Sequence, residues 1–155
     1  MNLKLKIFII SIFVFSLPLG GYAQSQCKSS CNWSPLFVPN KDDTDLECTS
    51  MDVGECVDMY PELKDIYCTA DKKCTRCTEK LNNNCSCSPV INNNTCRGKL
   101  NDNICEGYKS RLACNKGCEK IPEEIARTVC FYDCDKNMCD SVRASFKLFL
   151  VCCQE

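Results

Sequence analysis

Residues 113–134 read ACNKGCEKIPEEIARTVCFYDC. Cys114 and Cys118 stand four apart, as do Cys130 and Cys134, so each pair falls on one face of a helix. Two such helices laid antiparallel can be stapled twice. Pro122 suits a first helical turn, where its missing N–H costs nothing, and Glu123 beside it suits the positive end of that helix. Spacing alone leaves open whether these four cysteines bond with each other or with others.

Others are plentiful: the chain has 18 cysteines and no histidine in 155 residues. Lys4 and Lys6 precede an apolar run from Ile7 to Leu19, then the small-residue stretch Gly20-Gly21-Tyr22-Ala23. This pattern predicts a signal peptide over residues 1–23, cleaved between Ala23 and Gln24. The run has 13 residues and contains Pro18, short of the roughly 20 needed to span a bilayer. The C-terminal run Phe146 to Val151 is shorter and holds Lys147, so no membrane span is expected. The 132 residues left after the leader are about 14 per cent cysteine, the mark of a secreted, extracellular disulfide scaffold. Only about 18 per cent of them are Leu, Ile, Val or Phe, too little for burial alone to offset chain entropy. Disulfides, typically about 2–4 kcal/mol each, must supply the difference.

Cys56, Cys68 and Cys77 recur 62 residues on as Cys118, Cys130 and Cys139. Glu62 falls over Glu124 and Leu63 over Ile125, with Pro61 and Pro122 just upstream, so the two stretches read as an internal repeat. The expected organisation is an irregular N-terminal arm over 24–46, pinned by Cys27 and Cys31, and a first Cys-rich repeat over 47–88. That repeat holds Cys48, Cys56, Cys68, Cys74, Cys77, Cys85 and Cys87. A linker over 89–104 carries Cys96, and a second repeat over 105–155 carries Cys105, Cys114, Cys118, Cys130, Cys134, Cys139, Cys152 and Cys153. The fold class is small, disulfide-rich and mainly α, two tandem cysteine-stapled helical repeats with long irregular loops.

Helical periodicity at Leu63, Ile66, Tyr67, Ala70, Cys74, Cys77 and Leu81 predicts one helix from about Pro61 to Leu81. A further helix is expected from Ser141, capped by Asp140, with Val142, Phe146, Phe149, Leu150 and Cys153 on its inner face. Between the repeats, two Asn triplets and Pro89 favour turns.

Several stretches resemble known families. Cys114 to Cys134 resembles the helical hairpinin pattern of plant defence peptides and scorpion channel toxins, which implies nested pairs, Cys114 with Cys134 and Cys118 with Cys130. Gly54-Glu55-Cys56, Tyr60, Cys68, Cys74 and Cys77 resemble a ShK-type toxin module, although five residues separate Cys68 from Cys74 and the module's Lys-Tyr dyad is missing. In place of the dyad, Lys64 has Tyr60 at i−4 and Tyr67 at i+3, which on a helix sets a cation between two rings as a candidate target-binding site. Cys85-Ser86-Cys87 and VRASFKLFLVCC are similar to repeats of GDNF-family receptors. The whole architecture resembles the large cysteine-rich venom proteins of arthropods, the scoloptoxins of centipedes among them.

Without histidine there is no Ser-His or Cys-His nucleophile and no His-ligated metal, so the chain does not read as an enzyme. No cofactor or metal is implied; the CxxC of Cys74 and Cys77 reads as structural among so many cysteines. Removing Lys4 and Lys6 leaves 17 basic and 20 acidic side chains, a net of −3, with no basic patch for nucleic acid. The acidic loop Lys41-Asp42-Asp43-Thr44-Asp45 lacks the glycine and distal glutamate of an EF-hand. Asn32 and Asn93 open glycosylation sequons, and Asn84-Cys85-Ser86 is formally a third. Two function classes follow. One is a venom-type toxin that impairs an ion channel or binds another extracellular receptor. The other is an endogenous extracellular module, a ligand binder or a protease inhibitor with Ser88 to Thr95 as its reactive loop.

Overall fold

The computed structural model describes residues 27–37, 48, 50–90 and 93–154. The expected signal peptide, its cleavage point at Ala23 and Gln24, and the acidic loop at 41–45 lie outside the described residues. In chain order the elements are β1 (Leu36–Phe37), β2 (Met51–Asp52), α1 (Gly54–Met59), α2 (Leu63–Lys73), β3 (Thr75–Glu79), β4 (Cys85–Pro89), α3 (Asn93–Cys118) and α4 (Glu124–Cys152). Among the described residues the fold is mainly α, with two short antiparallel strand pairs, β1 with β2 and β3 with β4.

Local chemistry sets the early elements. The Val53 N–H donates to the Pro35 carbonyl at 2.8 Å, and the Asp52 side chain accepts from the Gly54 N–H at 2.7 Å, which steers the chain from β2 into α1. Pro61 then separates α1 from α2, since the residue before a proline is driven out of helical geometry. Tyr60 is extended there, at φ −132° and ψ 81°.

The expected helix to Leu81 stops at Lys73. Thr75 and Thr78 are stiff β-branched residues suited to a strand, and Cys77 lies directly opposite Cys87 in the ladder and is bonded to it. Leu81, expected inside, is 91 % exposed in the short turn that follows. Asn82 sits there in the left-handed region at φ 70°, which asparagine tolerates better than most residues. The Asn triplet thus makes the turn its composition suggests.

The segment 89–104, expected as a linker, ends β4 and forms the first half of α3. The helix expected from Ser141 is the second half of α4: residues 124–152 contain neither glycine nor proline to break it, so Asp140 lies mid-helix rather than at a cap.

α3 and α4 run antiparallel, because bridges join Cys96 to Cys152, Cys114 to Cys134 and Cys118 to Cys130, early to late along their lengths. The last two are the nested pairs that the hairpinin resemblance implies. At Gly107 the helices approach so closely that a Cβ would sit 3.2 Å from the Ser141 hydroxyl. Other bridges tie this helical pair to the rest: Cys48 to Cys105, Cys56 to Cys139 and Cys74 to Cys153. Cys27 to Cys85 and Cys31 to Cys68 pin the N-terminal arm. Cysteines at equivalent repeat positions therefore have unlike partners, and three of the bridges cross between the two repeats.

One core results. Met51, Val53, Leu63, Ala70, Ile104, Val142 and Phe146 are fully buried in it. Trp33 and Phe37 of the arm meet Tyr67 and Phe146 edge-on or tilted, with ring centroids 5.2–6.0 Å apart. Such contacts add roughly 0.5–1.5 kcal/mol per pair to simple burial.

Candidate functional site

The residues singled out for target binding are not brought together. Lys64 is exposed on α2, but Tyr60 precedes that helix, so the expected i−4 relation fails. The cation over the Tyr60 ring is Arg143, 4.9 Å from its centroid. The Tyr60 hydroxyl donates to Asp140 at 2.5 Å, and Lys136 donates to the other Asp140 oxygen at 3.0 Å. These bonds hold the Asp140 carboxyl below its ordinary range, the Tyr60 bond contributing most. The same partnership raises the Tyr60 phenol and the Lys136 ammonium. Tyr67 is 7 % exposed among Trp33, Phe37, Phe146 and Phe149 and accepts a hydrogen bond from Arg97 at 3.2 Å. A ring so enclosed has no face left for a partner.

The ShK-like spacing is also unpaired within itself. Cys56, Cys68, Cys74 and Cys77 bond to Cys139, Cys31, Cys153 and Cys87, never to one another. The CxxC of Cys74 and Cys77 is divided between two bridges. No cysteine is free, so no thiolate stands ready as nucleophile or ligand. This holds for the two sulfur triplets gathered within 4.8 Å, Cys74 with Cys96 and Cys153, and Cys114 with Cys118 and Cys134.

What the structure presents instead is the end of the α3/α4 hairpin. Ile125, Val129 and Tyr132 are 74, 54 and 58 % exposed and occupy i, i+4 and i+7 of α4. This makes one apolar stripe, on a helix fixed to its neighbour by two bridges within one turn of each other. Contacts from α1 and α2 reach α4 at Cys139, Asp140, Arg143, Phe146 and Phe149, all C-terminal to the stripe, and leave it uncovered. The repeat alignment set Ile125 over Leu63, yet Leu63 is fully buried and Ile125 faces water. The helical spacing of the three residues is the signal that could have found the site.

A second concavity, about 590 Å³, lies between the arm, α2, β4 and α3. Its floor is closed by an ion pair between Arg97 and the buried Asp71, with the Arg97 guanidinium 5.7 Å from the Phe149 ring centroid. This guanidinium is engaged in holding α3 to α2, and the rest of the lining mixes Lys28, hydroxyls and Asn32 with Cys85, Cys87 and Pro89 of β4. The sequon residue Asn32 is exposed at its rim, and Asn93 begins α3. Of the stretch expected as a reactive loop, Ser88 and Pro89 are paired in β4 and Asn93 to Thr95 open α3, so the described ends belong to regular elements.

No protein-family model, curated protein or solved structure matches this chain. Among the described residues no helix is long and apolar enough to cross a membrane. Nine bridges in so short a chain are typical of extracellular proteins.

Proposed function

We propose that this chain is a secreted, toxin-like binding protein that engages an extracellular protein target, an ion channel or receptor, through the end of the α3/α4 hairpin. The observation that carries this reading is the stripe of Ile125, Val129 and Tyr132 on a doubly stapled helix. Helical anchors at i, i+4 and i+7 are what an apolar groove accepts. A tyrosine among them adds an aromatic of the kind that dominates binding energy. Because the bridges order the helix beforehand, association loses less conformational entropy than docking of a flexible peptide.

The test is electrophysiology on a panel of voltage-gated channels with the native protein and with Ile125→Ser/Val129→Ser/Tyr132→Ser, a change confined to exposed side chains. At least about a tenfold loss of potency is expected, as removal of hot-spot anchors gives. Equal block by both proteins removes the stripe as the contact surface. Absence of block at micromolar concentration removes the channel as the target. Secretion is checked separately, by N-terminal sequencing of protein exported from a eukaryotic host, which should begin at Gln24.

A further inference from the structure

Two bridges touch at the hairpin end. Cys118 Sγ lies 3.4 Å from Cys134 Sγ, although Cys118 is bonded to Cys130 and Cys134 to Cys114. Neither sulfur carries a hydrogen, so this is van der Waals contact between the two disulfides. Exposure divides the four cysteines evenly. Cys118 and Cys134 are buried, while Cys114 and Cys130 are only half-buried.

A thiolate arriving from solvent therefore reaches Cys114 or Cys130 first. Attack at Cys114 expels the Cys134 thiolate, and attack at Cys130 expels the Cys118 thiolate. Either leaving group is already against the buried sulfur of the surviving bridge. We propose that the hairpin end is a thiol–disulfide exchange site for a small monothiol of the glutathione class, where attack at either outer cysteine converges on one diagonal bridge, Cys118 to Cys134.

The chemistry balances without a separate oxidant or reductant. In the first step the monothiolate RS⁻ breaks Cys114–Cys134, forming the mixed disulfide Cys114–SR and releasing Cys134 as thiolate. In the second, Cys134 attacks Cys118, forming Cys118–Cys134 and releasing Cys130 as thiolate. Two disulfides and one thiolate become two disulfides and one thiolate. Entry at Cys130 gives the same diagonal bridge, with the mixed disulfide on Cys130 and the thiolate on Cys114. Entry at Cys130 leaves the modification beside the apolar stripe, since Cys130 follows Val129 directly.

The other sulfur triplet repeats this layout within the same 4.8 Å limit, with Cys74 and Cys96 buried and their partners Cys153 and Cys152 half-buried; the 3.4 Å contact between buried sulfurs of different bridges is shown at the hairpin end. Cys77–Cys87 belongs to no such triplet.

The experiment uses the folded full-length secreted protein, treated with millimolar reduced glutathione without denaturant, quenched in acid and capped with N-ethylmaleimide. Cleavage after Lys116 separates Cys114 from Cys118, and cleavage before Asp133 separates Cys130 from Cys134, so each pairing gives its own peptide mass. The expected result is a Cys118–Cys134 linked peptide together with glutathione on Cys114 or Cys130. Glutathione on Cys114 with maleimide on Cys134 and an intact Cys118–Cys130 overturns the proposal, as does no glutathione at any of the four. A Cys114→Ser/Cys130→Ser variant gives a second reading. Its two remaining hairpin cysteines should bond with each other, and a folded variant with both free also overturns the proposal. If that variant fails to fold, the peptide map of the native chain decides.

Discussion

The Tyr60 hydroxyl donates to the Asp140 carboxylate at 2.5 Å, joining residues 80 apart in the chain. Each has a different part in the sequence, Tyr60 beside a binding lysine and Asp140 at a helix start; with Pro61 ending the helix before Lys64 and α4 running unbroken through Asp140, the two meet each other instead. The bond locks the turn between α1 and α2 onto the middle of α4. Cys56–Cys139 fixes the same contact covalently one residue earlier on α4, and Arg143 extends it by pairing with Glu62 at 2.7 Å.

The pH dependence follows from this bond. Asp140 is held below its ordinary value when folded, so its contribution is present above the unfolded carboxylate pKa and is lost as pH falls through the folded one. Tyr60 is raised, so its contribution is complete below the ordinary phenol pKa and is lost as pH rises through the folded value. Tyr60→Phe should move the Asp140 midpoint up and flatten the acid-side fall in melting temperature. Carboxyl-carbon NMR titration of Asp140 reads the first effect directly; an unchanged midpoint would show that the hydrogen bond is not what lowers it.

Phe146 is fully buried and meets Trp33, Phe37 and Tyr67, which arrive from the arm and from α2. Phe146→Ala should cost about 3–5 kcal/mol, the range for a large-to-small change in a closed core. The measurement is guanidinium unfolding with all bridges intact. A loss below about 1 kcal/mol would mean that the cross-links, and not this cluster, fix the arm.

Arg97 holds Asp71 and Tyr67 together beneath the polar concavity. Arg97→Met should leave the Asp71 carboxylate buried without its cation, at a cost approaching the roughly 3–5 kcal/mol of a broken buried pair and reduced because the Arg97 side chain is about one third exposed. Adding Asp71→Leu should recover most of the loss, since the uncompensated charge goes with it. Urea midpoints of the three proteins decide; a double variant no more stable than Arg97→Met would refute the charge argument.

The hairpin was legible because four cysteines at i, i+4 spacing encode the helix and its inner face, while its staples were given by the hairpinin resemblance and not by the spacing. The mainly α, disulfide-rich class followed from composition for a similar reason. Other features depend on partners far away in sequence. Thr75 to Leu81 continues a helical pattern, and only the Cys77–Cys87 bond reveals a strand. Asp140 suits a cap until Tyr60 arrives from 80 residues upstream. Ile125 was legible as an apolar helical residue but not as an exposed one, because nothing local tells how far α1 and α2 extend along α4.

The bridges themselves should differ in worth according to the loops they close. Cys77–Cys87 spans 10 residues, and no other bridge shortens that loop. Cys56–Cys139 spans 83, yet with Cys48–Cys105 and Cys114–Cys134 in place the shortest path runs 8 residues from Cys56 to Cys48, 9 from Cys105 to Cys114 and 5 from Cys134 to Cys139. Chain-entropy estimates then give about 2.7 kcal/mol for the first bridge and about 3.4 kcal/mol for the second, a gap of about 0.7 kcal/mol where the full spans would predict about 1.9 kcal/mol. Replacing each pair by serines and comparing unfolding free energies tests this directly. Equal losses would rule out loop entropy as the source of the difference. A gap near 2 kcal/mol would show that the Cys48–Cys105 and Cys114–Cys134 bridges do not restrict the unfolded chain as the connectivity requires.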